Sequence, residues 1–184
     1  MKRKDFLKAS LEMGLASGGL MVLGGRAVRA QSAEKPQEKK SKDELQLFKE
    51  AWVTALMTNM EAQIDEPSRQ KLMEACGRDC ARRSGILKLA ASCQGDVSKL
   101  ISSLAKALGE EENFIEGNVV HLNYPKCYCE LVAAGPERLP ATYCQCSRGW
   151  VLQVFETAAQ KPVKVEMVQT IKQGASSCKF LVTV

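Results

Sequence analysis

Apolar residues recur at helical spacing through the first half of the chain and alternate through much of the second. Leu45, Phe48, Trp52, Leu56, Met57 and Met60 return every three or four positions, which predicts a helix to about Ile64. The capping-box pattern Ser41-Lys42-Asp43-Glu44 opens it. Asp65-Glu66-Pro67 restarts a second helix, which carries Leu72, Met73, Cys76 and Cys80. A break at Ser84-Gly85 leads to a short helix over Ile86–Ala91. Gly95-Asp96 then caps another, with Val97, Leu100, Ile101, Leu104 and Leu108 facing inward.

After Gly109 the period changes. Phe114 and Ile115, then residues 119–122, alternate around Glu116-Gly117-Asn118 and predict a β-hairpin. Residues 128–132 predict a third strand, and 136–140 a loop. Residues 142–159 form a helix with Trp150, Val151, Val154 and Phe155 on one side. Residues 162–171 and 178–184 are the last two strands, with Gly174 in the turn between them. The expected fold is therefore α+β: an N-terminal helical bundle, then a mainly antiparallel sheet with a packed helix.

Residues 1–30 predict an export signal. A basic stretch over 1–8 precedes a modestly apolar segment over 11–25, and Val28-Arg29-Ala30 places small residues where a signal peptidase cuts, after Ala30. Arg3-Lys4-Asp5-Phe6-Leu7-Lys8 resembles the twin-arginine translocation consensus R-R-x-F-L-K, with Lys4 at the second arginine. That route implies folding, and loading of any cofactor, before export to a periplasmic or extracytoplasmic location. Residues 31–40 are a polar linker, and 41–184 a single cysteine-rich domain with a helical half (41–109) and a second half (110–184).

Charge follows the same division. The chain has 26 basic and 21 acidic residues. Without the first thirty residues 20 basic and 19 acidic ones remain, so the basic excess belongs to the leader and nucleic acid is excluded as a partner. A hydrophobic share of 45% excludes general disorder. No run of about 20 uninterrupted apolar residues predicts a membrane span.

The eight cysteines carry the candidate chemistry. Cys127-Tyr128-Cys129 would place two thiols on one face of a strand. Cys144-Gln145-Cys146 lies at the start of a helix, whose dipole would favour thiolate. Two such pairs could form a four-sulfur shell for zinc or bind an iron–sulfur cluster. Cys76 and Cys80 share a helical face as secondary metal or redox candidates, and Arg78, Arg82 and Arg83 would also favour their thiolates. Cys178 opens the last strand on the face of Phe180, and Cys93 reads as simple burial. The alternative for all eight is four structural disulfides. Met57 and Met60 read as core, and the lone His121 as an ordinary sheet histidine. Trp150 and Phe155 read as core, or as the lining of a pocket.

Cys146-Ser147-Arg148-Gly149-Trp150, Phe155-Glu156, Pro162-Val163-Lys164-Val165-Glu166, Gly174 and Cys178-Lys179-Phe180 together resemble the C-terminal half of the 4-vinyl reductase domain. The whole mature chain is also similar to cysteine-rich bacterial proteins grouped near L-2-amino-thiazoline-4-carboxylate hydrolase-like proteins. The resemblance implies an α+β fold shared with small-molecule sensor domains, in which a structural zinc lies beside a buried ligand pocket. Cys144 falls on the first cysteine of that zinc pattern and Cys178 on the last. The middle position falls on Thr170, and the acidic one on Met167, beside Glu166. Cys146, Cys127 or Cys129 would supply the missing ligands.

Three functions follow as expectations. The first is an exported metal-binding module for zinc or an iron–sulfur cluster, with a small-molecule ligand, acting as a sensor, carrier or accessory protein. The second is a metal-dependent hydrolase or reductase, for which Glu130 and Glu166 are the nearest acidic candidates. The third is a disulfide-stapled structural or interaction protein.

Overall fold

The computed structural model describes residues 42–109, 112–132 and 138–184. The predicted leader, its cleavage site and the linker lie outside the described residues, as does the side chain of every residue in the predicted capping box but Glu44. The described residues belong to one compact unit that starts at Lys39.

Four helices come first: α1 (Lys42–Gln63), α2 (Glu66–Arg83), α3 (Ile86–Ala91) and α4 (Val97–Leu108). Asp65 caps α2 by accepting from the Ser68 amide at 3.0 Å, and Asp96 caps α4 by accepting from Lys99 at 3.1 Å. The hairpin strands are β1 (Phe114–Glu116) and β2 (Val119–Tyr124), joined by Gly117-Asn118. Gly117 has φ 60°, which suits the first position of a two-residue hairpin loop. A single 3₁₀ turn (Ala141–Cys144) runs into α5 (Gln145–Ala159), and β3 (Lys164–Gln169) and β4 (Cys178–Thr183) complete the chain. The expected α+β architecture is correct: the helices precede an antiparallel sheet of order β1-β2-β4-β3, with α5 packed on it.

One face of the sheet is the main core. Val120, Val182 and Val165 form one cross-strand row, and Leu122, Phe180 and Met167 the next. Against them pack Val151, Val154, Phe155 and Ala158 of α5 and Leu100, Ile101 and Leu104 of α4. Met57 and Met60 build a smaller second core with Met73, Val132, Leu139 and Tyr143.

Two expectations are corrected. Residues 128–132 form no strand. β2 stops before Pro125, which has no N–H for a sheet ladder, and the chain then curls so that Val132 donates to the Cys129 carbonyl at 3.1 Å. Both flanks of β4 are already taken by β2 and β3. In α1 the predicted apolar stripe divides: Met57 and Met60 are buried, as read, whereas Phe48 and Trp52 are each 57% exposed, and Leu45 and Leu56 are also exposed. The helix carries two apolar faces, and the one bearing Val53, Met57 and Met60 meets the second core.

α2 and α5 approach until their backbones touch. A Cβ on Gly77 would lie 1.9 Å from the Cys146 carbonyl oxygen, and one on Gly149 would lie 2.1 Å from the Glu74 carbonyl oxygen. Charge pairs flank the crossing. Arg78 bonds Glu156 bidentately, at 2.5 and 3.1 Å, and also bonds Glu74. Arg148 pairs with Glu74 and donates to the Val165 carbonyl at 3.1 Å, which ties α5 to β3.

Candidate functional site

The glycine crossing gathers the cysteines. Cys76 and Cys80 lie on α2 one turn apart, flanking Gly77, which rests on the Cys146 carbonyl. Cys146 sits in the first turn of α5 and Cys144 ends the 3₁₀ turn before it. Cys127 and Cys129 lie on the irregular segment after β2 and pack against the second core with Cys146. Cys178 opens β4 opposite Tyr124 of β2, on the inner face of the sheet. These seven thiols, from four chain segments, are linked as pairwise electrostatic neighbours. Cys93 stands apart; it is 3% exposed and donates to the Leu89 carbonyl, as simple burial predicts.

Local hydrogen bonds fix several sulfurs. Cys129 Sγ lies 3.0 Å from the Tyr143 hydroxyl. The Ile171 amide donates to Cys178 Sγ at 3.3 Å, and the Gln173 side chain to Cys144 Sγ at 3.7 Å. Residues Ile171–Gln173 form a 3₁₀ turn, so one turn holds both sulfurs. The Thr170 hydroxyl is buried there, beside Cys144 and with no full hydrogen bond of its own.

At Cys144 and Cys146 the expected activation by a helix terminus is reversed, and at Cys80 that by arginines. Burial pushes Cys146 up from 9.0 to about 12, and Cys129, Cys80, Cys76 and Cys144 add to the shift. Cys144 is raised by burial first; Thr170 and Gln173 pull the other way, and Cys127 and Cys129 raise it further. Cys178 is raised by burial against the pull of the Ile171 amide, with Cys144 and Cys127 adding. Cys80 is raised by burial and by Cys129. The Tyr143 phenol is raised by burial and by its bond to Cys129. The arginines are committed elsewhere, Arg78 to two glutamates and Arg82 to Asp79 at 2.6 Å. Desolvation outweighs one helix dipole because Cys144 and Cys146 sit inside the crossing.

A pH dependence follows. A thiol whose folded pKa lies above its unfolded value stabilises the fold at any pH below the unfolded value, and that contribution fades as pH rises to the folded one. For Cys146 the window runs from 9.0 to about 12. Urea unfolding of the reduced, metal-free chain is expected to give a midpoint that falls as pH rises above 9.0, and to fall less in Cys146→Ala. A flat midpoint in both proteins would contradict the burial of this thiol.

All eight cysteines are free thiols in this structure, and no group of three His, Cys, Asp or Glu side chains among the described residues is arranged as a ready ion site. The acidic candidates do not join the cysteines. Glu166 lies in the outward row with Leu181 and His121, opposite the Cys178 face, and Glu130 is exposed. His121 stacks on Phe114 with ring centroids 4.4 Å apart and lies 3.5 Å from Glu116, as an ordinary sheet histidine would. Phe155 is fully buried in the main core, and Trp150 packs half-buried against it.

Two open depressions have volumes of about 550 and 390 Å³. One lies between α4 and β1, beside Ser98, Ile101 and Phe114; the other runs along the outer sheet face by His121, Val168 and Leu181. Neither is lined by a cysteine.

Sequence reasoning paired the thiols by motif and did not find the partners that seat them. Gly77, Gly149, Tyr143 and Gln173 carry no cysteine-like signal. The one usable hint is the glycine inside each of Cys76-Gly77 and Arg148-Gly149, in the middle of a helix where glycine costs about 1 kcal/mol against alanine.

No curated protein matches the chain. A family model matches residues 27–184, a span that includes every cysteine, so the chain belongs to the family of unknown function DUF6144.

Proposed function

We propose that the chain is an exported thiolate metal-binding module that takes zinc or an iron–sulfur cluster. The observation that carries this reading is that cysteines from four chain segments are neighbours, and that the charged groups acting on Cys80, Cys144, Cys146 and Cys178 are other thiols. Burial favours the protonated form of Cys80, Cys144, Cys146 and Cys178. A soft cation supplies the missing positive charge, displaces the protons and turns mutual repulsion into shared coordination. The leader supports export, since its resemblance to a twin-arginine signal fits a protein loaded before translocation. The 4-vinyl reductase resemblance supports Cys144 and Cys178 as two of the ligands.

Elemental analysis with intact mass, on chain purified without reductant or chelator, tests the reading. Zinc, or several irons per chain, is expected. The Cys127→Ser, Cys129→Ser, Cys144→Ser, Cys146→Ser quadruple variant is expected to lose it. Metal-free protein lighter by one hydrogen per cysteine would overturn the proposal and make the cysteines disulfide staples.

A further inference from the structure

One tetrahedral ion uses four sulfurs, and so does a single iron–sulfur cluster. Seven gathered thiols exceed that need by three, and their placement divides them. Cys76 and Cys80 are exposed on α2, and the Gly77 contact sets that face against Cys146. Cys144 is buried, at 6% exposure, and Cys178 half-buried; both accept from the turn Ile171–Gln173, behind the second core. Cys129 is held by Tyr143. Cys127, two residues earlier, follows the end of β2, where Tyr124 pairs with Cys178.

Resting on the metal-binding reading above, we infer that these thiols form two adjoining soft-cation sites: an outer set of Cys76, Cys80, Cys129 and Cys146, and an inner set of Cys127, Cys144 and Cys178. Cys146 feels Cys129, Cys80 and Cys76, and Cys80 feels Cys129, whereas Cys178 feels Cys144 and Cys127; Cys144 feels both Cys127 and Cys129 and so adjoins both sets. Cys144 and Cys146, adjoining through Gln145, connect the two halves.

The sets differ in chemistry. Four sulfurs close a tetrahedral shell, the arrangement of structural zinc. Three sulfurs leave a position open or form the low-coordinate shell that a soft monovalent cation accepts. They also differ in access. Two of the four outer thiols face solvent, so the outer ion exchanges with a chelator or an acceptor thiol before the inner ion does.

Cadmium titration tests this, since cadmium–thiolate bonds are read directly by ultraviolet absorption. Full chain reduced with a phosphine is titrated with cadmium chloride and then challenged with excess EDTA. Two equivalents are expected to bind, with one released in a fast phase and one in a slow phase. Cys76→Ser/Cys80→Ser should lose the fast equivalent and keep the slow one. Cys127→Ser/Cys178→Ser should lose the slow equivalent and keep the fast one. Circular dichroism of each metal-free variant confirms folding. The outer pair is exposed, so its substitution leaves the cores intact and keeps the test decisive even where the inner variant unfolds. Binding of one equivalent that both variants abolish would overturn the two-site inference and leave the metal-binding reading standing. So would two equivalents that leave together in the outer variant. No cadmium bound by the reduced wild-type chain would overturn both.

Discussion

Gly149→Ala is expected to cost the fold about 3 kcal/mol or more, at the upper end of overpacking effects. The new Cβ would stand 2.1 Å from the Glu74 carbonyl oxygen, and the obstacle is backbone, not a side chain that can turn away. α2 and α5 must then separate, which loosens the Glu74–Arg148 and Arg78–Glu156 pairs and opens the main core beneath Val151 and Phe155. Gly77→Ala meets the Cys146 carbonyl oxygen at 1.9 Å and should behave alike. Gly85→Ala is the control: nothing lies within 4 Å, its φ of −66° suits any residue, and a gain of about 0.5 kcal/mol is expected from a less flexible unfolded chain. Urea midpoints of the three variants read the difference. A near-neutral Gly149→Ala would mean that the helices do not touch as described.

Metal loading is expected to stabilise the reduced chain strongly. An ion that binds only the folded state adds about 4 kcal/mol at a thousandfold excess over its dissociation constant. The expected gain is global because the sulfurs come from α2, the segment after β2, the start of α5 and β4, so bound metal would link elements distant in sequence. The thermal midpoint should rise on adding zinc or cadmium and fall back with EDTA. The quadruple Cys127, Cys129, Cys144 and Cys146 to Ser variant should show no rise. The gain should also shrink as pH falls. Thiols already pushed above their ordinary range must each give up a proton to bind, so acid opposes loading earlier than it would for unperturbed cysteines. An unchanged midpoint with bound metal would place the ion on the surface rather than between the cores.

Much of this architecture is legible in the residues. The caps at Asp65 and Asp96, the hairpin glycine and the core stripe of α4 are local signals, and each element they specify is present. The errors lie where tertiary contacts choose between local options. α1 offers two apolar faces of similar strength, and the position of Met73, Leu139 and Tyr143 selects the one with fewer aromatics. The alternation through Tyr128 and Glu130 reads as a strand, yet Pro125 ends β2 and the chain curls back at Val132, so that segment joins no ladder. For the thiols, spacing identified the two close pairs and the helical pair. It could not show that Cys76 and Cys80 face Cys146, because that adjacency depends on two glycines 72 residues apart in sequence, 77 and 149. Nor could it give the sense of the pKa shifts, which burial decides.

The register irregularity between Met167 and Gln169 has a consequence for how copies of the chain meet in a crowded compartment. β3 is an outer strand of the sheet, and a regular outer strand presents evenly spaced amide donors and acceptors that a second molecule can extend. The bulge breaks that spacing midway along a strand of only six residues, and Lys164 puts a charge at its start. An incoming strand can match the first few positions or the last few, not both. Such protection matters to a chain with several neighbouring free thiols: copies held edge to edge would keep their cysteines close enough for an oxidant to cross-link them. By refusing an extra strand, the β3 edge keeps encounters brief.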